Sequence, residues 1–136
     1  MERRRTRLQR PIELILTRQL ASYLAMPIFV VDTSGNLVFY NEPAEAVLGQ
    51  RYEETGEMRL EEWSTVFSQT ADDGSPIPRE SLPLVIALKK HRAAHRTLRI
   101  RGLDGVRRRI EVTAFPLEGQ DGRHLGAVAI LWEVEP

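Results

Sequence analysis

Between Ile12 and Leu24 apolar residues recur every three or four positions: Ile12, Ile15, Leu16, Leu20, Tyr23 and Leu24 share one side, and Glu13, Thr17 and Arg18 fall on the other. The spacing predicts an amphipathic helix over residues 11–25, with Pro11 at a first helical position and Pro27 stopping it after Met26. Ile28-Phe29-Val30-Val31 is then a continuous β-branched run, read as a strand covered on both faces. Asp32-Thr33-Ser34-Gly35-Asn36 is turn chemistry, and Leu37-Val38-Phe39-Tyr40 returns as a second strand. Asn41 stands where a helix N-cap belongs, Ala44, Val47 and Leu48 form the apolar edge of that helix, and Gly49 ends it.

Residues 50–58 read as polar loop or irregular helix. Leu60, Trp63, Val66 and Phe67 mark a short helix, 71–78 a loop, and Ser81–Lys90 a further helix with Leu84, Val85 and Leu88 inward. From Thr97 the period becomes two. Leu98 and Ile100 share a face, Asp104-Gly105 signals a hairpin, and Ile110, Val112 and Ala114 continue the face. A second turn is expected over 116–122, followed by an apolar strand over 125–132. The sum is α+β: a five-stranded antiparallel sheet, short helices on one face, and the N-terminal amphipathic helix as the segment free to cover the other. If that helix does not cover its own sheet, it must do so in a dimer.

The 136 residues fit one domain, and 42% apolar content is enough for a core. There is no cysteine, which removes disulfides, zinc–thiolate and iron–sulfur sites and cysteine-based catalysis. No run approaches the length needed to span a bilayer and no secretory signal is visible, so a cytoplasmic location is expected. Net charge is zero, yet the charges are segregated: six arginines within 1–18, seven glutamates within 41–62, and nine basic residues within 89–109 against Asp104. Arginine outnumbers lysine 17 to 2, which coding bias explains as well as phosphate recognition does.

Three stretches resemble the PAS family. Residues from Ile28 through Asp32, Gly35, Asn41 and Ala44 to Leu48-Gly49 resemble its opening hairpin, with an Asp-x-x-Gly turn and an Asn-x-x-Ala helix start. Asp73-Gly74-Ser75-Pro76 to Leu84 resembles the loop entering the long helix in PAS domains of bacterial sensor kinases, and Phe115-Pro116-Leu117 through Asp121-Gly122 to Val128 resembles the last hairpin. The resemblance covers 26–134, so the chain divides into an Arg-rich tail with the amphipathic helix over 1–25 and a PAS domain over 26–136. It implies a sensory or regulatory module in signal transduction that acts by ligand binding, dimerisation or both. An effector such as a sensor kinase or transcription regulator is expected on another chain or removed from this one, since the family's Asp-(Ile/Val)-Thr link is replaced by Glu133-Val134-Glu135 before Pro136. The flavin and coumarate branches need a cysteine, and haem-binding members a histidine on the long helix; residues 79–90 hold none. No cofactor is therefore predicted. A small organic ligand is left open, and haem or flavin is the less favoured alternative.

Such domains hold ligands between helices and sheet, which makes Phe29, Val31, Phe39, Leu48, Trp63 and Phe67 candidate pocket residues. Leu84, Val85 and Leu88 join them from the long helix, and Leu98, Ile100, Ile110, Val112, Val128 and Ile130 from the last three strands. Ile12, Ile15, Leu16, Leu20, Tyr23, Leu24 and Leu131 are the candidate homodimer contacts. His91 and His95 are four apart, but with no third ligand an exposed basic helix end is preferred to a metal site. Arg99, Arg101, Arg107 and Arg109 alternate on two strands and are expected on one side of the sheet, compensated by the acidic 42–62 region, by Glu111 or by a partner. With no stacking aromatics among them, a solvated face is preferred to nucleic-acid binding. No Ser/His/Asp order, phosphate loop or carboxylate pair stands out, so no enzymatic activity is expected.

Overall fold

The computed structural model describes residues 12–134. The Arg-rich tail and the role given to Pro11 lie outside them. In chain order the elements are α1 (Ile12–Tyr23), β1 (Ile28–Val31), β2 (Leu37–Tyr40), α2 (Glu42–Leu48), α3 (Tyr52–Thr55), α4 (Leu60–Val66), α5 (Pro83–Lys90), β3 (Ala94–Arg101), β4 (Arg107–Glu118) and β5 (His124–Glu133). Short 3-10 turns precede α5 and β5. The strands form one antiparallel sheet in the order β2-β1-β5-β4-β3. The chain is thus α+β, as its periodicity predicts.

Local chemistry places most boundaries. In the β1–β2 turn the Asp32 Oδ1 accepts from the Ser34 and Asn36 N–H groups at 3.0 Å, and Gly35 takes φ 87°. Gly49 closes α2 in the left-handed region, where glycine carries no Cβ penalty. Gly126 is required for another reason. A Cβ there would collide with the Val31 carbonyl oxygen of the neighbouring strand, so β5 can cross β1 at this point only as glycine.

Three expected boundaries move. α1 ends at Tyr23 rather than at residue 25. β3 begins at Ala94, upstream of Thr97. β4 runs through Pro116 to Glu118, and the reversal is delayed to 119–123. A proline normally argues against a strand interior. Here β3 pairs with β4 only as far as Ala114, so Pro116 lies on a free edge where its missing N–H costs nothing.

The sheet separates two apolar clusters. The main core, between the sheet and α2, α4 and α5, includes Phe29, Val31, Leu37, Tyr40, Trp63, Phe67, Leu84, Val85, Leu98, Ile110 and Leu131. The second lies on the outer face, where Leu14 and Ala21 of α1 pack with Ile28, Val30, Val38 and Val128, flanked by Phe39, Leu117 and Ile130. Val66, expected inward on α4, is instead exposed.

The seating of α1 decides between the two covers that the periodicity leaves open. The broad stripe of Ile12, Leu16, Leu20 and Tyr23 is not turned to the sheet: these side chains are 62%, 53%, 60% and 86% exposed, and Ile15 and Leu24 are exposed with them. The helix docks on a narrower line, Leu14 and Ala21, at 2% and 1% exposure. The small Ala21 lets the helix backbone approach the sheet. The seat is fastened at its ends. Glu13 pairs with Arg123 at 3.1 Å, the Arg18 guanidinium lies 4.9 Å from the Phe39 ring centre, and the Asn41 amide donates to the Ala21 carbonyl at 2.8 Å.

Candidate functional site

A cavity of about 50 Å³ lies in the main core between the sheet and the helices. Its walls bring together Phe29, Leu48, Trp63, Phe67, Leu84, Ile100, Ile110 and Val112, all of which sequence reasoning placed there. Leu82, Pro83, Gln69, Ala129 and Leu131 complete it. Ala129 and Leu131 share the inward side of β5, so the alternation of that strand was the signal that could have found them. Gln69, the polar wall residue, carries no periodic signal, because it sits in an irregular stretch whose neighbour Thr70 pairs with Arg99 at the outer edge of β3.

Several candidates fall elsewhere. Phe39, Val128 and Ile130 belong to the outer cluster beneath α1 and cannot line the cavity: Phe39 pairs with Val30 and Val128 with that same residue, on the outward parity of their strands. Leu131, placed in the dimer interface by sequence, points inward instead and forms cavity wall. Val31, Val85 and Leu98 are buried in the same core without forming the walls, and Leu88 packs against it half-buried.

Trp63 organises the cavity. Its ring meets Phe29 edge-on at 5.6 Å and 72°, and its indole N–H donates to the Gly35 carbonyl at 2.8 Å, tying α4 to the β1–β2 turn. Phe29 in turn stacks on Tyr40 at 6.1 Å. The Tyr40 hydroxyl donates to the Gln50 carbonyl at 2.7 Å, and burial raises its pKa above the ordinary phenol value.

Asn41 is more than a cap. Its Oδ1 accepts from Ala44 N–H at 3.2 Å and from Ile28 N–H at 2.9 Å, while its Nδ2 donates to the carbonyls of Ala21 and Met26, both at 2.8 Å. One buried amide thereby joins α1, the start of β1 and the N-terminus of α2.

The histidines do not form the pair that their spacing suggests. His91 terminates α5 at φ 55° and stacks on His124 with ring centres 3.6 Å apart; His95 lies on β3, 2.8 Å from the Thr113 hydroxyl and 3.0 Å from a Glu111 carboxylate oxygen. The helix ends before His95, so the two never share a helical face. Among the described residues no group of acidic and histidine side chains is arranged to hold a metal ion.

On the outward side of β3 and β4, Arg99 stands opposite Arg109 and Arg101 opposite Arg107. The compensating charge comes neither from 42–62 nor chiefly from Glu111. It comes from Asp72, read as plain loop: Arg109 donates to both of its oxygens at 3.0 Å, and Arg99 lies 3.6 Å away. The Arg109 hydrogen bonds hold the Asp72 carboxyl below its ordinary pKa. Asp104 is similarly held to about 2, first by its hydrogen bonds from Arg108.

Among the described residues no helix is long and apolar enough to cross a membrane. No curated protein matches the sequence. Solved structures with the same fold include the PAS domain of BvgS from Bordetella pertussis (TM-score 0.67, 16% identity, 93% of this chain and 89% of that one) and the PAS domain of nitrogen regulation protein NR(II) from Vibrio parahaemolyticus (0.60, 17%, 88% and 98%). A LOV protein from Rhodobacter sphaeroides is also similar (0.71, 16%, 92% and 69%). A family model described as PAS fold matches residues 22–135, from the end of α1 to beyond β5. A match of that extent, over a sheet in the order 2-1-5-4-3 with α2, α4, α5 and the cavity on its inner face, makes this chain a member of the PAS family.

Proposed function

We propose that this PAS domain is a sensory or regulatory module that works by binding rather than by catalysis, and that it does so as a homodimer. The observation that carries the reading is the stripe of Ile12, Ile15, Leu16, Leu20, Tyr23 and Leu24, which remains in solvent after α1 has docked on its own sheet. Burying each such side chain is worth about 1.5–3 kcal/mol, so a second copy presenting the same stripe is the favoured cover. Trp132 and Phe115, exposed on the same outer side of the sheet, extend the apolar area.

Light scattering on the full chain tests this. The wild type is expected to be dimeric with a melting temperature that rises with protein concentration, and Leu16→Glu/Leu20→Glu to be a folded monomer whose melting temperature is lower and independent of concentration, since both side chains are exposed in the protomer. A monomeric wild type, or a double variant that stays dimeric, refutes the interface.

The ligand in this reading is small and largely apolar. A water molecule occupies about 10–15 Å³ in the same measure, so the cavity has room for roughly four of them and none for a flavin or haem unless its walls move. An absorption spectrum of the purified protein is expected to be featureless in the visible, with native mass spectrometry revealing any colourless ligand. A Soret or flavin band at near-stoichiometric yield overturns it. The presence of a similar domain in a nitrogen regulation protein supports an effector in regulation, such as a sensor kinase or transcription regulator. Nucleic acid is the less favoured partner, because Asp72 already engages half of the arginine face.

A further inference from the structure

The β3–β4 hairpin sets two like-charged pairs directly across from one another, and only one is answered. Like charges in that position destabilise a sheet. Asp72 clamps Arg99 and Arg109, and Arg108 is held by Asp104 at 2.9 Å with Glu133 at 3.9 Å. Arg101 and Arg107 are exposed and have no carboxylate partner among the described residues. They line an open cleft together with Ser68, Thr70 and Gly74, between the hairpin and the loop that pairs with its edge.

We propose that Arg101 and Arg107 form a binding site for a single phosphate group of a small ligand. Arg101 and Arg107 are direct cross-strand partners in the cleft lining; each guanidinium carries paired N–H donors that tetrahedral oxyanions accept bidentately, and the two positive charges match a dianion. Ser68 and Thr70 line the same cleft, and both residues carry hydroxyl donors. The other charged residues of the cleft set the size of the ligand. Asp72 and Asp73 line the cleft with Arg99 and Arg108, and Asp72 is already engaged by Arg99 and Arg109, which leaves Arg101 and Arg107 as the pair open to an anion and suits the site to one terminal phosphate rather than a run of successive phosphates. This cleft shares Ile100 with the apolar cavity and no residue with the α1 stripe.

The test is calorimetry of the full chain in inorganic phosphate or pyrophosphate against sodium chloride at matched ionic strength. The wild type is expected to gain about 4 °C at roughly ten times the dissociation constant, and to keep rising with the logarithm of the phosphate concentration beyond it. Arg101→Gln/Arg107→Gln should melt above the wild type in low salt, because the repulsion is gone, and should show no increment specific to phosphate. Asp72→Asn should respond to phosphate more strongly than the wild type. Equal responses of the wild type to phosphate and chloride, or a double variant that keeps the phosphate increment, overturn the proposal. A short oligonucleotide that binds through the same two arginines at least tenfold more tightly than pyrophosphate overturns it in favour of a polymer.

Discussion

Trp63→Ala is expected to lower the melting temperature by about 15 °C, corresponding to a loss of 3–5 kcal/mol. Two losses add. The ring is 3% exposed and packs edge-on against Phe29, so truncation leaves a void beside an existing cavity. The Gly35 carbonyl also loses its indole donor within the core. Trp63→Phe separates the two, since it restores most of the packing and not the hydrogen bond. It should cost about 1–2 kcal/mol. Thermal unfolding of both variants decides the matter. An unchanged melting temperature for Trp63→Ala would mean that the ring is not part of the core. Equal costs for the two variants would assign the whole effect to the hydrogen bond.

Asn41→Ala is expected to cost about 3 kcal/mol, well above the roughly 1 kcal/mol of an ordinary N-cap. The difference arises because the substitution also removes partners from groups on α1, on β1 and on the connection between them. The Met26 carbonyl loses its donor, the Ala21 carbonyl keeps only the Leu24 N–H at 3.2 Å, and the Ile28 N–H loses its acceptor. Asn41→Asp is the informative companion. It keeps the oxygen that accepts from Ile28 and Ala44 but replaces the amide donor with a second acceptor facing two carbonyls, so it should be no more stable than the alanine variant at neutral pH. Hydrogen exchange adds a local readout: in both variants α1 should lose protection before the sheet does. A cost near 1 kcal/mol with α1 still protected would show that Asn41 acts as a cap alone.

The role of Asn41 marks how far a linear reading reaches. Asn41 as N-cap is legible because the cap acts on Ala44, three residues ahead. Its hold on α1 is not, because Ala21 lies twenty residues back and nothing between them records the contact. The arginine face repeats the lesson. Alternation alone puts Arg99, Arg101, Arg107 and Arg109 on one side of the sheet, yet the acid that neutralises part of them comes from a loop 37 residues away from Arg109. In α1 the periodicity identifies the helix and its apolar stripe, and leaves open whether that stripe meets the sheet or a second copy; the line that docks, Leu14 and Ala21, lies outside the stripe. Hydrophobicity ranks Leu20 and Ile12 above Ala21, whereas docking against a flat sheet rewards a small residue that permits close approach.

For this protein the sequence by itself determined the class, the strands β1 and β2, the α2 cap and stop, and the Asp104-Gly105 hairpin. Each depends on interactions between residues a few positions apart, where spacing and turn chemistry suffice. It also determined the parity of β5, since a strand has only two faces. The tertiary structure alone decided which face of β5 looks into the cavity, which line of α1 meets the sheet, and that His91 meets His124 rather than His95. Those outcomes depend on packing between segments whose separation along the chain is large. Close packing selects the arrangement that fills space for all of them at once, and no local pattern records that choice.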